Sequence, residues 1–256
     1  MGRPLLLEVA DKPATSAAIA VCVGAWLLIT QRRLGYEDVG MSYDKVVRGR
    51  QAWRMIVCQF SHVEALHLIF NVSALWSLGG IETSPKMGTG YYLRASAALI
   101  ALSQPLCLAF YHLLITVGGR ERYARVTAVG YSCVTFGLMS ALSVNELGMG
   151  QLSLFGLASI PAPLAPFGYL VLTSVLIPRA SFIGHLSGVL VGYVVGFGVF
   201  EQLTPFWAVS LALWGALGAL VGLVRSGAVS LPFVRFEEEG DVEAGLAVGF
   251  SSGAAV

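Results

Sequence analysis

The stretch AVGYSCVTFG, residues 128–137, places Ser132 close to two glycines in an otherwise apolar segment. A second stretch, SFIGHLSGVLVGY, residues 181–193, places His185 in a similar setting. Polar side chains in long apolar helices are costly, and they are commonly paired or functional. The two stretches therefore suggest a common explanation, provided that they lie in neighbouring membrane helices.

The composition is that of an integral membrane protein. Of 256 residues, 56% are hydrophobic and 12% are charged, with a mean hydropathy of +0.74, whereas soluble domains are about 45–50% apolar and about 25% charged. The net charge of +1 gives no reason to expect nucleic-acid binding. The four cysteines have neither a disulfide-framework nor a metal-site spacing. We therefore expect no metal and no cofactor.

Apolar segments divide the chain into seven predicted transmembrane helices. A bilayer core of about 30 Å requires about 20 apolar residues per helix. The sequence predicts an all-α membrane protein with an N-terminal tail (1–13), a six-helix core (14–200) and a seventh helix (201–225). A long, charged first loop (31–60) is typical of a functional loop, and the Gly- and Glu-rich tail (226–256) is predicted to be disordered. The predicted spans are 14–30, 62–80, 90–117, 127–145, 164–178, 182–200 and 206–224.

Several polar side chains are predicted to lie at one depth in the bilayer. If each helix crosses once, the second, fourth and sixth helices enter from the same face. His62, His67, Ser132 and His185 then lie in the outer third of the bilayer, with Asn71 slightly deeper, at about 1.5 Å per residue. Each has a structural interpretation, such as a serine bonded to its i−4 carbonyl or a His67–Asn71 pair on one helix face. A single pocket accounts for all of them together.

Glycines in the sixth helix predict a close helix crossing. Gly188, Gly192 and Gly196 form a small-xxx-small ridge, and Gly188 lies on the same face as His185. A close crossing of the fourth and sixth helices would bring Ser132 within hydrogen-bonding reach of His185. Such ridges also occur in helix bundles without catalysis, and the serine and histidine on the contact face favour a catalytic interpretation.

Five fragments follow one another along the chain: Trp53-Arg54 in the first loop, HVEALHLIFN (62–71), LGGIE (78–82), GYS (130–132) and GHLSG (184–188). Each fragment is weak alone, but in this order and spacing they resemble the rhomboid intramembrane serine proteases. The resemblance covers about residues 14–200. The stretches MGRPLLLEVADKPATS (1–16), VTAVGYSCVTFG (126–137) and SFIGHLSGVLVGYVVG (181–196) are most similar to plant rhomboid-like proteins.

The resemblance implies a catalytic dyad without the aspartate of soluble serine proteases. Ser132 would be the nucleophile and His185 the general base. His67 and Asn71, with the backbone N–H of Ser132, would form the oxyanion hole. Because hydrolysis needs water, the resemblance also implies an aqueous cavity open to one face. The supporting positions are Gly130, Phe136, Gly188, Trp53 and Arg54.

Two residues depart from the family pattern. Cys133 follows the nucleophile where the family often has glycine, and it could tighten the pocket or alter substrate preference. Phe136 stands where the family often has tyrosine; it can still stack under His185 but has no hydroxyl. Neither departure removes a catalytic group.

The implied function is an intramembrane endopeptidase that cleaves transmembrane segments of single-span proteins near one bilayer face. Its partners would be those substrates and the lipid bilayer. The alternative is a rhomboid-fold pseudoenzyme that binds membrane clients for trafficking or degradation, which would not need Ser132 and His185. A transporter would favour ionisable residues at the midplane or inverted repeats, and the sequence has neither feature.

The charges and the resemblance disagree on membrane orientation. More cationic side chains flank the face where the even-numbered helices enter, so the positive-inside rule turns the site towards the cytosol. The resemblance to rhomboids of the secretory pathway (Golgi, ER or plasma membrane) implies a site facing the lumen or outside, which we take as the prediction. The cations on the site's face are Arg32, Arg33, Lys45, Arg48, Arg50, Arg54, Arg120, Arg122, Arg125 and Arg179, and those opposite are Arg3, Lys12, Lys86 and Arg94.

Overall fold

Helices account for most of the regular structure. The computed structural model describes residues 4–145, 150–154, 158–177, 180–201, 205–227 and 229. The α-helices are α1 (Leu5–Asp11), α2 (Pro13–Arg32), α3 (Tyr36–Val39), α4 (Arg54–Phe60), α5 (Ala65–Leu78), α6 (Gly80–Thr83), α7 (Gly88–Thr116), α8 (Ser132–Asn145), α9 (Ala165–Leu176), α10 (Phe182–Gly196) and α11 (Pro205–Arg225).

Short elements join the longer helices. A π-helical turn covers Asp44–Arg48, and 3₁₀ turns cover Glu121–Arg125 and Ala162–Leu164. One antiparallel hairpin, β1 (Gln151–Leu154) paired with β2 (Ala158–Pro161), lies between α8 and α9. This hairpin is a local connection, and the predicted all-α membrane fold is confirmed.

The apolar helices make the chain an integral membrane protein. Within the described ranges, α2 and α7 are each long and apolar enough to cross a membrane, and α4 with α5–α6 forms a third candidate bent by 86°. Shorter apolar helices coincide with the remaining predicted spans at 132–145, 162–176, 182–196 and 212–225. Large apolar side chains point outwards from them, including Val175 and Trp214, each 70% exposed, as expected for lipid-facing surfaces. The total of seven crossings stays a prediction.

Two helices begin later than the sequence predicts. The second predicted span (62–80) starts as a helix only at Ala65, so His62 lies in the bend before it. The fourth (127–145) starts only at Ser132. Residues 127–131 are not helical because Met41 and Ala128 exchange two backbone hydrogen bonds of 2.9 and 3.0 Å, and because Gly130 has φ of +113°. A segment paired in this way cannot continue the helical hydrogen-bond pattern.

The first loop is folded around a buried arginine. Arg54 is 8% exposed, and its Nη1 lies 3.2, 2.8 and 2.8 Å from the carbonyl oxygens of Glu37, Asp38 and Gly40. The guanidinium also lies over the Trp53 ring, 4.6 Å from its centroid. A planar group with several N–H donors suits such a cluster of carbonyls. The loop is therefore fixed on α4.

The core centres on a close crossing of α8 and α10. A Cβ at Gly188 would lie 2.1 Å from the Cys133 carbonyl oxygen, and one at Gly192 would lie 2.2 Å from the Gly137 carbonyl oxygen. Real Cβ atoms do not approach backbone oxygens so closely, so glycine alone fits at these positions. The glycine ridge therefore allows the two backbones to touch.

Glu82 fixes the start of α2. Its two carboxylate oxygens accept the backbone N–H groups of Ala14 and Thr15 at 3.0 and 2.7 Å. A carboxylate at a helix N-terminus satisfies free N–H groups and complements the helix dipole. The predicted disorder after residue 225 concerns 226–256, of which only 226, 227 and 229 lie within the described residues.

Candidate active site

Ser132 is the first residue of α8, and the chain before it is held by the first loop. The backbone N–H of Gly130 donates to the Cys58 carbonyl at the end of α4, at 2.8 Å. The positive φ of Gly130 is readily adopted by glycine. A Cβ there would also lie 2.7 Å from His67 Cε1. Gly130 therefore sets the turn that presents Ser132 and leaves space for the imidazole of His67.

His185 lies in the first turn of α10, which has a serine cap. Ser181 Oγ accepts the backbone N–H of Gly184 at 3.1 Å, and the Ser181 carbonyl accepts that of His185 at 3.0 Å. The Ser181 hydroxyl is in turn 3.0 Å from the Tyr111 hydroxyl of α7. The N-cap of α10 is thus hydrogen-bonded to α7 as well as to α10 itself. This fixes the first turn of α10, and His185 with it.

The two predicted catalytic side chains form a direct hydrogen bond. His185 Nε2 lies 2.8 Å from Ser132 Oγ. His185 is 6% exposed, and Ser132 is half-buried. Among the described residues, His185 Nδ1 has no hydrogen-bond partner. The arrangement is a hydroxyl–imidazole pair to which no described carboxylate is bonded.

Phe136, one turn after Ser132, packs flat against the imidazole. The ring centroids of Phe136 and His185 are 4.5 Å apart and their planes are inclined by 22°. Offset stacking of this kind restricts ring rotation without using a hydrogen bond. Phe136 therefore holds the ring plane of His185, while the cap on α10 holds its backbone.

The predicted oxyanion-hole residues lie one turn apart on α5. Asn71 is 7% exposed, and its Nδ2 donates to the His67 carbonyl at 3.0 Å. A side-chain amide has two N–H donors, so one of them is left over by this bond. The His67 ring borders Gly130, which is two residues from Ser132. The imidazole of His67 thus lies beside the start of α8, and Asn71 lies one turn further along α5.

His62 adds a second imidazole next to His67. The two ring centroids are 5.1 Å apart in an edge-to-face arrangement. His62 is fully buried, its Nδ1 lies 3.3 Å from the Phe60 carbonyl oxygen, and its Nε2 has no partner among the described residues. His62 therefore contacts His67 by ring packing, and its recorded hydrogen bond goes to Phe60 instead.

The remaining predicted positions support the pair from a distance. Gly188 brings α10 against the Cys133 backbone, and Trp53 and Arg54 fix the loop that holds Gly130. Cys133 is 6% exposed, and its Sγ accepts a hydrogen bond from Gln104 Nε2 at 3.4 Å. All four cysteines are buried free thiols. Within the described residues, no group of three or more His, Cys, Asp or Glu side chains could hold a metal ion.

Sequence reasoning did not single out three residues that shape this site. Ser181 caps α10, Tyr111 holds that cap, and Gln104 contacts Cys133. The serine immediately before the apolar segment of α10 is a recognisable N-cap signal. Tyr111 and Gln104 carry no such signal, because their partners lie in other helices.

A buried histidine bonded to a half-buried serine, between two close helices of an integral membrane protein, defines the class of site. Comparison with known proteins identifies the family. The Rhomboid domain model matches residues 49–202, more than half of the chain. The chain therefore belongs to the rhomboid family, and the resemblance inferred from its motifs is confirmed.

Individual relatives agree with the family match. Rhomboid-like protein 14, mitochondrial, of Arabidopsis thaliana is 32% identical over 143 residues, covering 55% of this chain and 41% of that protein. Rhomboid-like protein 15 of the same plant is 28% identical over 213 residues, covering 78% and 51%. Rhomboid-type serine protease 2 of Saccharomyces cerevisiae is 28% identical over 197 residues, covering 75% and 71%. The chain spans about half the length of the two plant relatives or less.

Proposed function

We propose that this protein is an intramembrane serine endopeptidase that uses Ser132 and His185 as a catalytic dyad. The observation that carries the proposal is the 2.8 Å hydrogen bond between His185 Nε2 and Ser132 Oγ. Membership of the rhomboid family and the name of the yeast relative, a serine protease, support the same activity. A pseudoenzyme that binds membrane clients is the alternative, and the intact pair favours the protease.

In the proposed reaction, His185 moves one proton in each direction. Nε2 accepts the Ser132 hydroxyl proton while Oγ attacks the peptide carbonyl, which gives a tetrahedral intermediate and an imidazolium. The imidazolium then protonates the departing amine, and the C–N bond breaks to leave an acyl-enzyme. Water, deprotonated by Nε2, hydrolyses this ester and restores the Ser132 hydroxyl.

The negative oxygen of the intermediate would be bound by donors from α5 and α8. The second N–H of Asn71, the ring of His67 and the backbone N–H of Ser132 are the proposed oxyanion hole. The Ser132 N–H is available because it lies at the first position of α8, where backbone N–H groups have no partner within the helix. Each such donor typically contributes about 100- to 1,000-fold in rate.

The proposed substrates are single-span membrane proteins cut near one bilayer face. A transmembrane helix hides its peptide bonds, so cleavable segments should contain small or helix-breaking residues that allow local unwinding. We further propose a secretory-pathway membrane with the site on the lumenal or outer side. Protease protection of an N-terminal tag in intact vesicles, together with the location of a fluorescent fusion, tests both points.

The decisive experiment uses the purified full-length protein in detergent with a single-span test substrate. Wild type should cleave the substrate, and Ser132→Ala and His185→Ala should not. Ser140→Ala is the matched control, because Ser140 lies in the same helix, is fully buried, and bonds the Phe136 carbonyl at 2.9 Å. Cleavage that persists in the Ser132→Ala and His185→Ala variants would refute the dyad. No cleavage by wild type would leave the pseudoenzyme as the better description.

A further inference from the structure

Helix α11, the last among the described residues, lies beyond the residues that match the Rhomboid domain, yet it packs on the loop that supports Ser132. A Cβ at Gly222 would lie 2.3 Å from the Cβ, Cγ and Cδ1 atoms of Trp53. Seven residues earlier on α11, a Cβ at Gly215 would lie 3.9 Å from Ile56 Cδ1 of α4. Of these two glycines, Gly222 therefore lies closer to the first loop.

Trp53 begins the path from α11 to the catalytic serine. The backbone N–H groups of Ile56 and Val57 both donate to the Trp53 carbonyl at 3.1 Å, so Trp53 is built into the first turn of α4. At the other end of α4, the Cys58 carbonyl accepts the N–H of Gly130 at 2.8 Å. A displacement of Trp53 would thus be passed along one short, rigid helix to the turn before Ser132.

A second path leads through the guanidinium beside Trp53. Arg54 stacks on the Trp53 ring and donates to the carbonyls of Glu37, Asp38 and Gly40. The next residue, Met41, pairs with Ala128, four residues before Ser132. Both sets of contacts reach the segment 127–131, through Gly130 and through Ala128. The conformation of this segment sets the direction of the Ser132 side chain.

The N-terminal half of α11 also borders a cavity next to the same segment. Val209 and Ala212 line a cavity of about 190 Å³ together with Phe60, at the end of α4, and Tyr131, the neighbour of Ser132. The cavity is otherwise walled by α2 and α7 residues: Ala14, Ala18, Tyr92, Leu93, Ser96, Ala97 and Ile100. At this cavity, α11 lies next to the end of α4 and next to the residue that precedes Ser132.

We propose that α11 is a positioning element of the active site, and that Gly222 is the residue that seats it against Trp53. The proposal rests on the proposed protease function, because it concerns the placement of Ser132. Energetic coupling of this kind travels through contiguous packed and hydrogen-bonded groups, which the contacts above supply. Gly222 acts through Trp53 and α4, without touching the substrate.

The test compares glycine substitutions at two positions of α11. Gly222→Ala and Gly222→Val should displace Trp53 relative to α11, because the new Cβ would overlap the Trp53 side chain. Gly218→Ala and Gly218→Val are the matched controls, since a Cβ at Gly218 meets no atom within 4 Å. Both pairs replace glycine within one helix, so they share its change in helix propensity.

The first readout is the chemistry at Ser132 in the full-length protein. We expect Gly222→Val to lower kcat and the rate of Ser132 labelling by a fluorophosphonate at least about tenfold, since a 1 Å misplacement can cost about 100-fold. KM for a single-span substrate should stay within about twofold, because the binding interactions are kept. The Gly218 variants should behave as wild type.

The second readout does not depend on catalysis. Backbone hydrogen exchange should rise over residues 37–60 in the Gly222 variants and stay at the wild-type level in the Gly218 variants, because exchange reports local opening. If wild type lacks activity, the proposed function fails, and this comparison still decides whether α11 holds the first loop.

Three outcomes would overturn the proposal. Equal labelling and equal exchange in the Gly222 and Gly218 variants would show that the contact transmits nothing. The Gly222 variants could have a lower thermal midpoint and yet label Ser132 at the wild-type rate at temperatures well below that midpoint. That result would show that Gly222 has a purely structural role. A rise in KM with unchanged kcat would place the effect of α11 on substrate binding instead of on Ser132.

Discussion

Phe136 and His185 stack with ring centroids 4.5 Å apart, so the side chain one turn after the proposed nucleophile fixes the plane of the proposed base. His185 has a single described side-chain hydrogen bond, to Ser132. Stacking on Phe136 therefore limits rotation of the imidazole together with that hydrogen bond.

Replacing Phe136 should separate the contribution of the ring from that of a hydroxyl. Phe136→Leu is expected to lower kcat about 2- to 10-fold, the equivalent of the roughly 0.5–1.5 kcal/mol of an aromatic pair. Phe136→Tyr keeps the ring and should retain the wild-type kcat. Steady-state cleavage of a single-span substrate measures both, and full activity of Phe136→Leu would show that stacking does not hold the base.

Removing the amide of Asn71 should reduce catalysis strongly. Asn71→Ala is expected to lower kcat about 100- to 1,000-fold, as for the loss of an oxyanion-hole donor. Asn71→Asp should not restore it, because an ionised carboxylate donates no hydrogen bond. Asn145→Ala is the control, since Asn145 bonds Tyr91, Ala141 and Gly196 instead. Equal rates in Asn71→Ala and wild type would exclude Asn71 from the hole.

A methyl group at the helix crossing should destabilise the fold. In Gly188→Ala the new Cβ meets the Cys133 carbonyl oxygen at 2.1 Å, so α8 and α10 must separate. Overpacking of this kind costs about 1–3 kcal/mol, and the thermal midpoint in detergent should fall accordingly. Gly24→Ala in α2 is the control, because a Cβ there meets no atom within 4 Å. Equal midpoints for the two variants would contradict the close crossing.

An ion pair between two loops should add stability that depends on pH. Arg48 Nη1 lies 2.6 Å from Glu121 Oε1, and this hydrogen bond lowers the pKa of Glu121 below its usual value of 4.5. Because the pKa is depressed in the folded state, the stabilisation is present above the unfolded-state pKa and is lost as the pH falls through the folded-state pKa.

Glu121→Gln measures this contribution. The difference in thermal midpoint between wild type and Glu121→Gln should be small at pH 7, because the pair is exposed, and should shrink further below about pH 4.5. High salt at pH 7 should also reduce it. A difference that grows as the pH is lowered would contradict the assignment.

Much of the fold could be predicted from the sequence because membrane helices are defined by local composition. Helix α7, predicted at 90–117, covers Gly88–Thr116, and α11, predicted at 206–224, covers Pro205–Arg225. The starts of α5 and α8 were wrong by several residues. At α8 the cause is the pairing of Ala128 with Met41, which joins two distant parts of the chain and leaves no periodic signal.

The sequence predicted the residues of the candidate site more fully than the contacts that hold them in place. Ser132, His185, His67 and Asn71 were named from depth and from family motifs, and the structure places the first two within hydrogen-bonding distance. The Tyr111–Ser181 contact and the docking of Gly222 on Trp53 could not be predicted, because each depends on which faces of two helices meet.

The sequence by itself determined that this chain is a helical membrane protein of the rhomboid family, since hydropathy and ordered motifs are properties of the linear chain. Only the tertiary structure decided the relative axial position of α8 and α10. That register follows from backbone contacts at Gly188 and Gly192, and it brings a hydroxyl within 2.8 Å of an imidazole. A shift of one residue along either helix, about 1.5 Å, would be enough to break that bond.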